Sequence, residues 1–210
     1  MARAVEPASR NEAVLRPAPV ALAFDAKHSG AAAYNTGDFD RATEAYRAAV
    51  DANPNDPEAL NNLGQMLVRT NHASEAVQYF DRAIDLSQDA WAYRFNRARA
   101  YAELQQWPQA IAGYRDAARL FPEDYATQYN LARALQANGD LPDAITAFER
   151  AIALAPGQAD FHLSHGRALE SARRPKDAID AYKRYLELDP GGPDAEKVKA
   201  HITELEGVKS

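Results

Sequence analysis

Two kinds of polar residue recur in the chain at a fixed step of 34 residues, and both are suited to binding. The first set is Asn62, Asn96 and Asn130, and the second is Arg99, Arg133 and Arg167. An asparagine amide both donates and accepts hydrogen bonds, so it can pair with a peptide backbone of any sequence. Guanidinium groups suit carboxylates and phosphates. Because each arginine stands one helical turn after the asparagine column, we predict one face that binds an extended, acid-bearing chain.

Catalytic chemistry has little support in the sequence. The chain has no cysteine, which excludes disulfides, thiolate nucleophiles and cysteine-ligated zinc. His162 and His165 stand three apart and could touch one metal ion, but a third ligand with suitable spacing is missing. The pair Gly191-Gly192 lacks the lysine and hydroxyl residue of a nucleotide-binding loop. We therefore predict a protein that is not an enzyme and that uses no cofactor or metal.

The elements that position these residues follow from the same 34-residue period. An alanine column is followed four residues later by an aromatic column. The alanines are Ala42, Ala76, Ala110, Ala144 and Ala178, and the aromatics are Tyr46, Phe80, Tyr114, Phe148 and Tyr182. A small-residue column precedes them, and a proline ends four of the five units. The copies span residues 23–56, 57–90, 91–124, 125–158 and 159–192.

Each unit is predicted to be a pair of antiparallel helices. Small residues allow two helices to approach closely, and the aromatic residue fills the space beside them. Proline cannot continue a helix, so its column marks the end of the second helix. Gly37 and Gly139 fall between the two helices, where left-handed backbone geometry is expected. One hairpin cannot bury its apolar face alone, whereas stacked hairpins share a continuous core.

These columns resemble the tetratricopeptide repeat. The segments ALNNLGQMLVRTNHASEAVQYFDRAIDL and NLARALQANGDLPDAITAFERAIALAP are similar to it in nearly every diagnostic position. The resemblance implies an all-α fold, an α-solenoid in which antiparallel helix pairs form a right-handed superhelix. It also implies that the first helices line a concave groove that binds a protein or peptide. The predicted array covers residues 21–206.

The resemblance places both polar columns in this groove, with Phe95 and Tyr129 as apolar surface beneath an extended ligand. The asparagines are similar to the asparagine ladder in the repeats of O-linked N-acetylglucosamine transferase, which bind extended peptide. Three alternatives stay open. The asparagines could bond neighbouring helices, the arginines could be solvated or paired with nearby carboxylates, and the two aromatic residues could be ordinary packing.

The two ends differ from the repeats. Residues 1–20 are rich in proline, alanine and arginine, which predicts a disordered or extended leader. Residues 193–206 carry Val198, Ile202 and Leu205 on one helical face, which predicts a helix that caps the last repeat. The alternative for this helix is that it docks on a partner.

Charge and hydropathy narrow the class of partner. The net charge of −6 argues against nucleic acid, and no apolar run is long enough for a membrane helix. We expect a monomeric interaction module or scaffold. The alternatives are a regulatory or targeting domain of a larger membrane-anchored or assembly system, and a scaffold that self-assembles through its repeat ends. The compartment is open: cytoplasm is slightly favoured, and periplasm applies if the native start carries a signal or anchor.

Overall fold

The computed structural model describes residues 19–207, which form helices joined by short turns and contain no strand. Among these residues no helix is both long enough and apolar enough to cross a bilayer. We call the first helix of each pair the A helix and the second the B helix. The helices are α1 (Pro19–Asn35), α2 (Phe39–Ala52), α3 (Pro57–Arg69), α4 (Ala73–Leu86), α5 (Trp91–Glu103), α6 (Trp107–Leu120), α7 (Tyr125–Asn138), α8 (Leu141–Leu154), α9 (Ala159–Ser171), α10 (Pro175–Leu188) and α11 (Ala195–Gly207).

Local sequence explains where several helices begin. The Asp56 carboxylate accepts hydrogen bonds from two backbone N–H groups in the first turn of α3, and Pro57 supplies a favourable first residue. Asp124 caps α7 in the same way, accepting from the Thr127 backbone N–H at 2.8 Å. All five B helices end two residues before the proline column, which holds Gln88 in the second unit and proline in the other four, so the chain turns there.

The turn inside each hairpin needs one residue with positive φ. Gly37 and Gly139 fill this position at 77° and 91°, which confirms their predicted left-handed geometry. The other three turns use Asn71 at 64°, Gln105 at 56° and Arg173 at 58°. A residue with a Cβ costs about 1–2 kcal/mol in this conformation. The stacked hairpins therefore impose the turn even where the local sequence does not favour it.

Small residues bring the paired helices together, as their column predicts. A Cβ added to Gly64 would lie 2.7 Å from the Phe80 ring, and one added to Gly30 would lie 2.9 Å from the Tyr46 ring. The alanine column is fully buried in every unit. Because glycine has no Cβ, the aromatic side chain at these positions lies directly against the A-helix backbone.

The hairpins stack in chain order, and each A helix also contacts the A helix of the neighbouring unit from α3 to α9. The buried apolar residues form two clusters rather than one. One cluster runs from Ala33 to Ala100, and the other from Ala98 to Ile202. The contacts of α5 with α3 and α4 include two polar pairs in addition to the apolar contacts of Tyr93 and Ala100. Asn96 Nδ2 donates to Asn61 Oδ1 at 2.8 Å, and Arg97 Nη1 donates to Asp81 Oδ1 at 2.6 Å. We call this junction the polar seam.

The last helix, α11, covers the end of the stack. Val198 and Ile202 are buried in the second core cluster, and Leu205 packs against it. Lys183 of α10 pairs with Glu206 at 2.9 Å, which adds a polar contact at the rim. The apolar face of this helix is thus used within the chain. At the other end α1 begins at Pro19, two residues inside the predicted leader, and the rest of that leader lies outside the described residues.

Candidate functional site

Three of the predicted binding residues meet in one cavity on the A-helix side. It has a volume of about 440 Å³ and lies between α5 and α7 above the start of α6. We call it the A-helix cavity. Its polar lining consists of Arg99, Glu103, Gln105, Asn130 and Arg133, with Trp107 and Tyr114 as aromatic walls. It therefore combines two guanidinium groups, two amides and flat apolar surface, the groups expected for binding a peptide that carries an acid, together with one carboxylate.

The three arginines of the column differ in their surroundings. Arg133 lies over the Tyr129 ring, with its guanidinium carbon 5.8 Å from the ring centre, and Arg99 is half-buried on α5. Within the described part of the chain neither forms a salt bridge, whereas Arg167 pairs with Asp194 at 3.3 Å beside the cap helix. Arg99 and the exposed Arg133 therefore have no carboxylate partner among the described residues, whereas Arg167 already has one.

The three asparagines also have different hydrogen-bond partners. Asn96 is 8% exposed and donates to Asn61. It therefore joins two neighbouring helices, which is one of the alternatives that the sequence left open. Asn62 Oδ1 accepts from the side chains of Asn61 and Gln65 at 3.4 and 3.5 Å. Asn130 Nδ2 donates to the Ala126 carbonyl of its own helix at 2.8 Å. Of the three, only Asn130 lines the A-helix cavity.

The two predicted aromatic platforms take part in packing. The Phe95 ring lies 5.6 Å from the Tyr114 ring, centre to centre. Tyr129 stacks on Phe161 at 4.4 Å, and its hydroxyl shares a hydrogen bond of 3.0 Å with Ser164. Both side chains are half-buried, so they pack against neighbouring helices and leave only part of their surface exposed.

Electrostatics around the A-helix cavity centre on Tyr114. Burial raises the pKa of Tyr114 above its ordinary value, while the guanidinium groups of Arg99 and Arg133 act in the opposite direction. Tyr114 is 1% exposed, so its phenol stays neutral at physiological pH. The neutral Tyr114 therefore gives the two arginines no counter-charge, and the exposed Glu103 is the one carboxylate in the lining.

Sequence reasoning did not identify Gln105, Trp107 or Tyr114 as part of this site. Tyr114 belongs to the aromatic column and was assigned to packing alone. The position of Trp107 is occupied by a different residue in every unit, from Phe39 to Pro175, so the repeat carries no signal there. Gln105 is the positive-φ residue of the turn in the third unit, a position that the repeat pattern assigns to a turn and not to a site.

The histidine pair does not form a metal site with other side chains. Among residues 19–207 no group of three or more His, Asp or Glu side chains could hold a metal ion. Instead His162 Nε2 lies 3.2 Å from the Pro156 carbonyl oxygen. Burial lowers the pKa of His165, although Glu149 lies 4.0 Å away and opposes that shift.

Comparison with known proteins agrees with this architecture. A tetratricopeptide-repeat family model matches residues 29–90, 67–125, 95–157 and 129–193. The chain therefore belongs to the tetratricopeptide-repeat family.

Two curated relatives match part of the chain. The peroxisomal targeting signal receptor of Saccharomyces cerevisiae is 33% identical over 81 residues, which is 39% of this chain and 13% of the receptor. The inactive TPR repeat-containing thioredoxin TTL3 of Arabidopsis thaliana is 35% identical over 78 residues, which is 37% of this chain and 11% of that protein. The matching segment thus spans a small fraction of each relative.

Solved structures match over most of the chain. MamA from Desulfovibrio magneticus RS-1 has a TM-score of 0.76 at 20% identity and covers 81% of this chain and 97% of its own. YrrB, described as a TPR protein with an unusual peptide-binding site, has a TM-score of 0.71 at 18% identity and covers 85% and 92%. At these identities the likeness establishes the α-solenoid fold.

Proposed function

We propose that this protein is an interaction module that binds an extended, acid-bearing peptide segment of a partner protein along its A helices. The observation that carries the proposal is the A-helix cavity, where Arg99 and Arg133 stand without a carboxylate partner among the described residues. Peptide binding by YrrB and targeting-signal recognition by the yeast receptor support the same class of function.

The chemistry of the cavity suggests how such a segment would bind. A side-chain or terminal carboxylate would take both guanidinium groups, each bond being charge-assisted and therefore stronger than a neutral one. The Asn130 amide would pair with the backbone next to that carboxylate. Trp107 would cover the adjacent apolar atoms and exclude water. No step in this scheme makes or breaks a covalent bond, so the proposed function is binding rather than catalysis.

The two arginines that line the A-helix cavity define the variant that tests this proposal. We expect Arg99→Glu with Arg133→Glu to abolish capture of a partner from native cell lysate, measured by mass spectrometry of the bound proteins. Each reversal removes a charge-assisted hydrogen bond and adds repulsion, so affinity should fall by about ten-fold or more per site. The matched control is Arg167→Glu, in the same column, because Arg167 pairs with Asp194 and lies outside the cavity.

All three proteins must show a helical, cooperative melt before they are compared. A partner held by the wild type and by Arg167→Glu, but lost from the double variant, supports the proposal, and peptides cut from its acidic segments should then compete for binding. Partners retained equally by the double variant would refute a site at Arg99 and Arg133.

A further inference from the structure

Two matching ridges of side chains lead away from the A-helix cavity toward the other end of the same helices. Each ridge consists of two aromatic residues and an arginine, and each member follows the one before it by four residues, so the three share one side of a helix. They are Trp91, Phe95 and Arg99 on α5, and Tyr125, Tyr129 and Arg133 on α7. Each ridge is therefore aromatic where its helix begins and basic where it lines the cavity.

The aromatic ends of the two ridges are open to solvent among the described residues. Tyr125 is 44% exposed, and Trp91 is half-buried. Phe121, at the end of α6, is 41% exposed, and its ring lies 5.2 Å from the Trp91 ring, centre to centre. It shares with Tyr125 the turn that joins the third and fourth units. We call Trp91, Phe121 and Tyr125 the aromatic patch. Exposed aromatic rings grouped in this way are typical of a binding surface.

The repeat does not require aromatic residues at these positions. Where Trp91 and Tyr125 stand, the other three units carry Ala23, Pro57 and Ala159. Where Phe121 stands, the other four units carry Asn53, Ser87, Ala155 and Asp189. The aromatic patch therefore belongs to the third and fourth units, and the same two units form the A-helix cavity. Two departures from the repeat on one pair of units point to one ligand that contacts both.

Side-chain contacts join the aromatic patch to the A-helix cavity. The Phe95 ring lies 6.3 Å from the Trp91 ring and 5.6 Å from the Tyr114 ring, which is a wall of the cavity. On α7 the guanidinium carbon of Arg133 lies 5.8 Å from the centre of the Tyr129 ring. The patch and the cavity are thus two ends of one surface along α5 and α7.

We propose that the aromatic patch is a second subsite for the peptide bound at the A-helix cavity, and that it takes a large apolar side chain of that peptide. This inference rests on the proposed function, because the acid of the peptide must lie against Arg99 and Arg133. On each helix the arginine follows the first ridge residue by eight positions, which is about 12 Å along the helix axis. An extended chain covers that distance in about three to four residues. The preferred ligand therefore carries a large apolar residue at that separation from its acid.

The test uses the two tryptophans of the chain, because one lies in each subsite. Trp91 belongs to the aromatic patch, and Trp107 lines the A-helix cavity. The full chain labelled with fluorotryptophan therefore gives two fluorine NMR resonances, and Trp91→Phe identifies which is which. The probes are acetyl-Phe-Ser-Ala-Ser-Glu-amide and the same residues in reverse order. The control peptides carry alanine in place of phenylalanine.

We expect the better-bound phenylalanine peptide to shift both resonances along one saturation curve, and the alanine peptides to shift the Trp107 resonance alone. The phenylalanine peptide should bind about ten-fold more tightly or better, because its ring is removed from water. Phe121→Ser with Tyr125→Ala should abolish this advantage and leave the affinity for the alanine peptides unchanged. The repeat accommodates both substitutions, since Ser87 and Ala159 occupy the corresponding positions. Leu86→Ser, which removes an exposed apolar residue of the second unit, is the matched control and should change neither affinity.

The outcomes separate this inference from the proposed function. If the Trp107 resonance shifts but phenylalanine gives no advantage, or the Trp91 resonance does not move, the aromatic subsite is overturned and the acid site stands. If no peptide moves the Trp107 resonance, the proposed function fails and the inference fails with it. A Trp91 resonance that moves on dilution of the free protein would mean that a second copy covers the patch, which would also overturn a peptide subsite.

Discussion

Gly64 shows how a single side chain sets the distance between two helices. A Cβ there would lie 2.7 Å from the Phe80 ring, closer than carbon atoms approach in proteins. Phe80 is fully buried and has no free space to move into. In the third unit Ala98 takes the corresponding position, and Gly113 on the facing helix leaves room for its methyl group. Small residues can thus stand on either side of the contact, provided that one side remains small.

We expect Gly64→Ala to lower the free energy of unfolding, because overpacking costs about 1–3 kcal/mol. The higher helix propensity of alanine offsets about 1 kcal/mol of that cost. The measurement is the midpoint of chemical denaturation. Gly207→Ala is the matched control, because no atom of residues 19–206 lies within 4 Å of the added Cβ and α11 continues to that residue. A midpoint for Gly64→Ala at or above that of the wild type would contradict the close approach.

At the scale of the element, α11 is held by a small ionic cluster as well as by its apolar face. His201 Nε2 lies 2.9 Å from Glu170 Oε2, and the Tyr182 hydroxyl donates to the same carboxylate at 2.9 Å. The hydrogen bond with Glu170 raises the pKa of His201, and burial opposes that shift only in part. Burial by itself raises the pKa of Glu170, but the hydrogen bonds from His201 and Tyr182 outweigh it and lower that pKa.

These shifts predict how pH affects the attachment of α11. The pKa of His201 is raised above 6.5, so its stabilisation is complete below pH 6.5 and is lost as the pH rises through the raised value. The pKa of Glu170 is lowered below 4.5, so its stabilisation is present above pH 4.5 and is lost as the pH falls through the lowered value. The cluster is therefore strongest between pH 4.5 and 6.5.

We expect His201→Gln to be less stable than the wild type at about pH 5 and close to it at about pH 8, because glutamine cannot carry the positive charge. Urea denaturation at the two pH values measures the difference. His72→Gln is the matched control, since His72 contacts the Thr70 hydroxyl rather than a carboxylate. An equal loss of stability at both pH values would mean that the imidazolium does not hold the cap.

At the scale of the whole molecule, the polar seam divides the solenoid. The two apolar clusters meet within α5, where Ala100 belongs to one cluster and Ala98 to the other. The Nε of Arg97 and one guanidinium nitrogen of Arg94 are buried there without a hydrogen-bond partner. Because a solenoid is held by contacts between neighbouring units, we expect a junction that buries unpartnered polar groups to let the units on either side of it unfold separately.

We expect native-state hydrogen exchange to show that the first two units open at lower free energy than units three to five. Arg97→Leu should narrow this difference and stabilise the protein by about 1 kcal/mol or more, because an apolar side chain replaces a partly buried ion pair and its unpartnered nitrogen. Asp81 would be left 46% exposed and able to hydrate. The reverse change at the corresponding position of the next unit, Leu131→Arg, should destabilise the protein. Equal protection across the seam in the wild type would argue against a division there.

The candidate site was predictable only in part. The arginine column was evident from the 34-residue period, and the A-helix cavity contains two of its three members. The period could not indicate that Arg167 pairs with Asp194, because Asp194 lies outside the repeats. It could not separate Asn96 from Asn130 either, since their different partners are set by neighbouring helices that carry unlike residues.

The sequence by itself determined the repeating unit, the helix pairs, their small-residue contacts and the family, because each depends on residues close together in the chain and repeated five times. Only the tertiary structure decided which periodic residues remain available to a ligand and where the core is interrupted. It also decided which turns hold a residue other than glycine at positive φ. Those features depend on contacts between successive units, and at these contacts the copies differ. A period describes what the units share, whereas binding specificity comes from the side chains in which they differ.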